Sequence, residues 1–117
     1  MKIIDKFIAQ VVDLQLKKGK RLVLKLEASA DMLPKAIRLT SFTGAGRPRP
    51  VILELWRKEE GKKNLAMIRF ESQMWAFHVR HEGDLLIQFH CDGEMDKEFI
   101  WNSIDENVIV AYGEAGE

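Results

Sequence analysis

Every histidine of this 117-residue chain, and its only cysteine, falls between positions 78 and 91: His78, His81, His90 and Cys91. Neutral imidazole and thiolate are the usual ligands of zinc and copper, so these side chains suit a metal centre if they converge. An imidazole beside a nucleophile would serve equally as a general base. Which chemistry is open depends on where the surrounding strands point these groups.

From Val51 onward the chain reads as a β-meander. Four runs carry alternate apolar sets: Val51, Leu53, Leu55; Ala66, Ile68, Phe70; Trp75, Phe77, Val79; and Leu85, Ile87, Phe89, Cys91. Opposed residues of an antiparallel pair share a face, so each hairpin has a testable register. The first pairs Leu55 with Ala66 and Val51 with Phe70. The second pairs Phe70 with Trp75 and Ile68 with Phe77, turning at Ser72-Gln73. The third pairs Val79 with Ile87 and Phe77 with Phe89, turning at Glu82-Gly83-Asp84. All three put the same apolar sets on one common face.

That register divides the cluster. Cys91 goes to the core face, where a thiol behaves as a small hydrophobe. His81 shares that parity but sits at a hairpin end, in reach of water. His78 and His90 go to the opposite face as diagonal neighbours, ~7–8 Å apart between backbones. Four ligands cannot converge from opposite faces of one sheet, which argues against a closed four-ligand zinc site. His78 and His90 remain as candidates for a two-histidine metal site or a general base, against the simpler reading of solvated surface histidines.

The rest of that second face carries Ile52, Glu54, Trp56, Leu65, Met67, Arg69, Met74, Ala76, Arg80, Leu86 and Gln88. Tryptophan, methionine, arginine and histidine among aliphatic residues have the composition of an interface or ligand platform. Trp56, Met67, Arg69, His78, Arg80 and His90 are therefore its candidate binding residues. Glu54 and Arg69 are close enough to pair with each other.

Before the meander, Ile3, Ile4, Phe7, Ile8, Val11, Val12 and Leu14 recur at three- and four-residue spacing, and Lys17, Lys18 and Gly19 make a good helix end. This spacing predicts an amphipathic helix over residues 2–18, with an apolar arc of about 220°. Leu22, Leu24 and Leu26 predict a strand. Residues 29–42 fit either a short helix from Asp31 to Ile37 or a strand from Ala36 to Phe42. Residues 43–50 form a glycine- and proline-rich connector. Within it Gly44, Gly46, Arg47 and Arg49 could cradle an anion, but a strand follows rather than the helix a nucleotide loop needs. Gly46-Arg47-Pro48 is similar to the core of an AT-hook, with Ala45 where a basic residue is expected. Past Cys91, a turn at Asp92-Gly93-Glu94 leads to a run from Lys97 to Trp101. Ser103 and Glu106 have capping-box spacing, Val108 to Tyr112 reads as a last strand, and residues 113–117 as a frayed tail.

The expected fold is thus a single α+β domain, with the N-terminal helix packed on a mostly antiparallel sheet of about six strands. Eighteen basic residues balance eighteen acidic ones, so no overall field draws the chain to nucleic acid. No run approaches the ~20 apolar residues of a membrane helix. A single cysteine and the lack of a signal peptide pattern fit the cytoplasm. No serine or cysteine sits in a catalytic motif, and no cofactor is implied. These features favour a non-enzymatic binding module, homodimeric or bound to a protein partner, using the second sheet face or the surplus side of the helix. A small enzyme or metal-dependent protein centred on His78 and His90 is the alternative, and nucleic-acid binding through Arg47 and Arg49 a further one.

Overall fold

In a computed structural model, which describes residues 5–19, 21–33, 49–59, 61 and 63–115, the chain is an antiparallel β-barrel. Its strands are β1 (Asp5–Leu16), β2 (Leu22–Ser29), β3 (Arg49–Lys58), β4 (Leu65–His81), β5 (Asp84–Gly93) and β6 (Asn107–Glu114). Around the barrel they follow the order β1-β2-β5-β4-β3-β6, and β6 closes onto β1. Each neighbour pair is antiparallel. Among the described residues, no helix is long and apolar enough to cross a membrane.

The expected N-terminal helix is a strand, so the α+β assignment gives way to a sheet-dominated fold. Phe7, Ala9 and Val11 face the core by simple alternation; a bulge between Val11 and Asp13 then shifts the pleat, and Leu14 resumes the inward set. The extra residue turns a period of two into the spacing Phe7–Val11–Leu14, which imitates a helix. Three β-branched residues within β1, Ile8, Val11 and Val12, favour the extended form. At the bulge the segment before β6 takes up the backbone of Val11. Its N–H donates to the Glu106 carbonyl at 2.9 Å, and its carbonyl accepts from the Asp105 N–H at 2.8 Å.

The Ser72-Gln73 turn is also absent. β4 is one continuous strand of 17 residues, pairing with β3 over Leu65–Met74 and with β5 over Ser72–His81. Without a turn the pleat never inverts, so Phe70, Ser72, Met74 and Ala76 all point inward. Trp75 and Phe77, expected in the core, lie on the outer wall. The first hairpin is slipped by two residues, with Leu55 opposite Ile68 and Leu53 opposite Phe70, which preserves its faces. The third is slipped by one: His81 pairs with Asp84 across the two-residue turn Glu82-Gly83, whose φ angles of 52° and 89° match a type I′ turn. That single step exchanges the faces of the whole end of β4.

Inside, Phe7 lies 5.2 Å from Phe89 and 6.4 Å from Tyr112 between ring centroids, in a core shared by all six strands. The described segments that follow β2 and β5 lie at opposite ends of the barrel. After β2, a 3-10 turn (Ala30–Met32) carries the buried Ala30 and Leu33. After β5, the helix α1 (Lys97–Trp101), where another strand-like run was expected, presses Phe99 and Ile100 into the core. The Asp96 carboxylate caps it by accepting from the Phe99 N–H at 3.2 Å. Arg57, near the end of β3, fastens this plug. Its guanidinium donates to the Phe99 carbonyl at 3.1 Å and to the Ser103 hydroxyl at 2.9 Å, and it lies 4.6 Å from the Phe99 ring centre. β6 runs on to Glu114, past the expected start of fraying, and Gly113 is buried opposite Ile52.

At Gly93, β5 lies tight against the backbone of β4. A β-carbon there would lie 2.5 Å from the Glu71 carbonyl oxygen, a backbone atom that cannot swing aside. Gly93→Ala should therefore destabilise the barrel by about 1–3 kcal/mol, read as a lower urea midpoint with an unchanged slope. A wild-type midpoint would show that the strands part freely at this point.

Candidate functional site

Core side chains from all six strands fill the barrel interior, and a cleft lies on the outer wall. There the register lays out-facing side chains in rows across the strands. One row runs Asp13, Lys25, His90, Trp75 over β1, β2, β5 and β4; the next runs Gln10, Glu27, Gln88, Phe77. Together they frame a shallow cleft of about 290 Å³ lined by Gln15, Lys17, Val23, Lys25, Trp75, Phe77 and His90.

His90 is fixed within it. Its Nε2 is 2.7 Å from the Gln88 carbonyl oxygen Oε1, and the Gln88 amide donates to Glu27 at 3.2 Å. The Phe77 ring packs 4.8 Å from the imidazole, centre to centre, and is itself 44% exposed. Burial among these neighbours, together with the adjacent Lys25, holds the imidazole pKa below its usual 6.5. Lys17 is engaged elsewhere: with Arg21 it flanks the Asp92 carboxylate, at 3.3 and 3.1 Å, and staples the β1–β2 hairpin to β5. Lys25 makes no ion pair among the described residues. The cleft thus offers two aromatic rings, a neutral imidazole and an uncommitted cation.

The six residues grouped from the sequence separate into three places. His90 belongs to this cleft. Trp56, Met67 and Arg69 lie on the outer wall farther round the barrel, where Trp56 is opposite Met67 and Arg69 opposite Glu54. Arg69 is spent on Glu54, donating from Nε at 2.8 Å and also from Nη2 to the same oxygen, so it covers a nearly buried carboxylate. His78 and Arg80 have the inward parity of Met74 and Ala76 but stand exposed at the barrel mouth. The proposed His78–His90 pair is therefore split between the two sides of the sheet, because the third hairpin is one residue shorter than expected. His81 changes sides too and faces outward. Among the described residues, no group of three or more histidine, cysteine or acidic side chains could hold a metal ion. Gly44, Gly46 and Arg47 lie outside the described residues, and Arg49 is the first residue of β3.

Cys91 is in the core, as its parity predicts, with burial pushing the thiol up to about 12 despite a hydrogen bond with Ser72. Trp75 and Phe77 line the cleft and were not among the candidates read from the sequence. The missing glycine or asparagine at Ser72-Gln73 was the signal that could have found them, since an uninterrupted strand turns both outward.

A histidine with a lowered folded-state pKa makes stability depend on pH with a definite sign. Between that pKa and 6.5 the unfolded chain binds more protons, so the contribution is complete above pH 6.5 and is lost as pH falls through the interval. In an NMR titration His90 should show a midpoint below 6.5, and Lys25→Met should raise it only partway, because burial remains. A wild-type midpoint at or above 6.5 would contradict the packing described. No protein-family model matches the chain, and no curated protein sequence is detectably similar to it.

Proposed function

We propose that this protein is a non-enzymatic binding module whose outer barrel wall, at Trp75, Phe77, His90 and Lys25, takes a ligand bearing a planar apolar group and a negative charge. The observation that carries the reading is Lys25, which has no ion pair among the described residues, next to His90, Trp75 and Phe77 in adjoining rows. Aromatic side chains supply contact area at low entropic cost, and a cation at their edge selects for charge. Binding is favoured over catalysis because His90 is held by the Gln88 amide beside Lys25, and the described residues lining the cleft include no serine, threonine or cysteine. The buried free thiol fits a reducing compartment such as the cytoplasm.

The naphthalene sulfonate dye ANS, a planar anion, is a direct probe. Native protein should bind it saturably at one site, and Trp75→Ala or Lys25→Met should each weaken binding about tenfold, in line with 1–3 kcal/mol per stacking contact. Unchanged affinity in both variants, with native circular dichroism, would remove the cleft as the site.

A second reading rests on a separate observation. On the far wall Ile8, Ile109, Trp56 and Met67 form an uncharged row across β1, β6, β3 and β4. Ile8 is 62% exposed, Met67 40% and Ile109 38%. A flat apolar row of this kind suits a second copy of the chain. Sedimentation at tens of micromolar should then show a dimer that Ile109→Lys converts to monomer; a wild-type monomer at those concentrations excludes it.

A further inference from the structure

The barrel wall has a slot where β1 and β2 part. Their ladder ends at Gln10–Glu27; beyond it, among the described residues, Asp5–Ala9 pair only with β6, while the chain leaves β2 at Ala30 for the 3-10 turn. On the other side of the slot Asp84 and Leu85 pair, among the described residues, only with β4. In an antiparallel ladder alternate residues direct both backbone groups to the same neighbour. Val11 directs its N–H and carbonyl to the β6 side, so Lys6 and Ile8 direct theirs into the slot. The Lys6 N–H is met there by its own neighbour's carboxylate, Asp5 Oδ1 at 3.1 Å, as expected of a strand with no ladder partner on that side.

A groove of about 430 Å³ lies over this place, with Ala9 and Ala28 in its floor, Ile8 on one wall and Leu86 and His81 on the other. We infer that the slot accepts one extended peptide strand from a partner, which continues the line of β2 and hydrogen-bonds to the β1 edge at Lys6 and Ile8. The shape decides between occupants. A row of backbone donors and acceptors calls for another strand, and walls on both sides admit a single chain but not the edge of a folded sheet. Five β1 residues give a contact about 17 Å long. The occupant's alternate side chains would pack beside Ile8 and Leu86, which calls for apolar or β-branched residues at every second position.

The test uses the full chain and a blocked seven-residue peptide of alternating valine and threonine flanked by lysines. Its control is the same peptide N-methylated at alternate residues, which removes the backbone donors along one edge. In amide NMR spectra the unmodified peptide should shift Lys6, Ile8, Ser29 and Leu85 saturably and slow exchange of the Ile8 amide at least tenfold. The N-methylated peptide should bind at least tenfold more weakly. Equal binding of the two peptides, no binding at millimolar concentration, or shifts confined to Trp75 or Ile109 would overturn the inference. So would an Ile8 amide already slow to exchange in the free protein, or Ile8 shifts that follow protein concentration without peptide, the mark of a second copy.

Discussion

The unbroken pleat of β4 is the constraint on which the rest of the molecule depends. Over its length the strand hands its partnership from β3 to β5, and residues 72–74 bond to both. A strand shared in this way cannot slip against one neighbour without breaking its register with the other. The inward line Phe70–Ser72–Met74–Ala76 and the outward line Trp75–Phe77 are fixed together. Were a turn to interrupt it at Ser72, the second half would invert and bury its aromatic rings, removing the outer cleft.

What could be read from the sequence follows the same division. Strand positions were legible wherever alternation was clean, as in Leu22–Leu26 and Leu85–Cys91, because burial of one face writes period two directly into the residue types. The inward placement of Cys91, the outward placement of His90 and the pairing of Glu54 with Arg69 came from that periodicity alone. Parity arguments failed where one residue was gained or lost. The Val12 bulge disguised β1 as a helix, and the tight Glu82-Gly83 turn, lacking the customary asparagine, was counted one residue too long. A one-residue error moves no strand but sends its side chains to the other face, which is why the later strands were legible while His78 and His90 lie on opposite sides of the sheet.

Barrel closure also explains why the surplus apolar residues need no covering helix. An open antiparallel sheet has one face to bury and a second to solvate or cover; a closed one turns the first face inward on itself. At the ends, α1 presses Phe99 and Ile100 into the core, and Leu33, the residue after the 3-10 turn, adds to it. Arg57 shows how an inward-facing charge is accommodated at such an end. Its guanidinium meets a carbonyl, a hydroxyl and an aromatic face rather than bulk water, so the hydrogen-bonding groups at the end of the helix are satisfied from inside the barrel.

The pairing of β1 with β6 joins residues as far apart in sequence as Lys6 and Ala111. Closing so long a loop costs chain entropy before any contact rewards it, and topologies dominated by such contacts fold slowly. The three-stranded meander β3-β4-β5 is local and can assemble first; β1 has its second neighbour only once β6 is in place. Until then the inner row of Phe7, Ala9 and Val11 lacks the Val108–Tyr112 wall. The late-closing junction is thus where a partly folded chain would expose the most strand edge, and where nearby chains would compete with its own last strand.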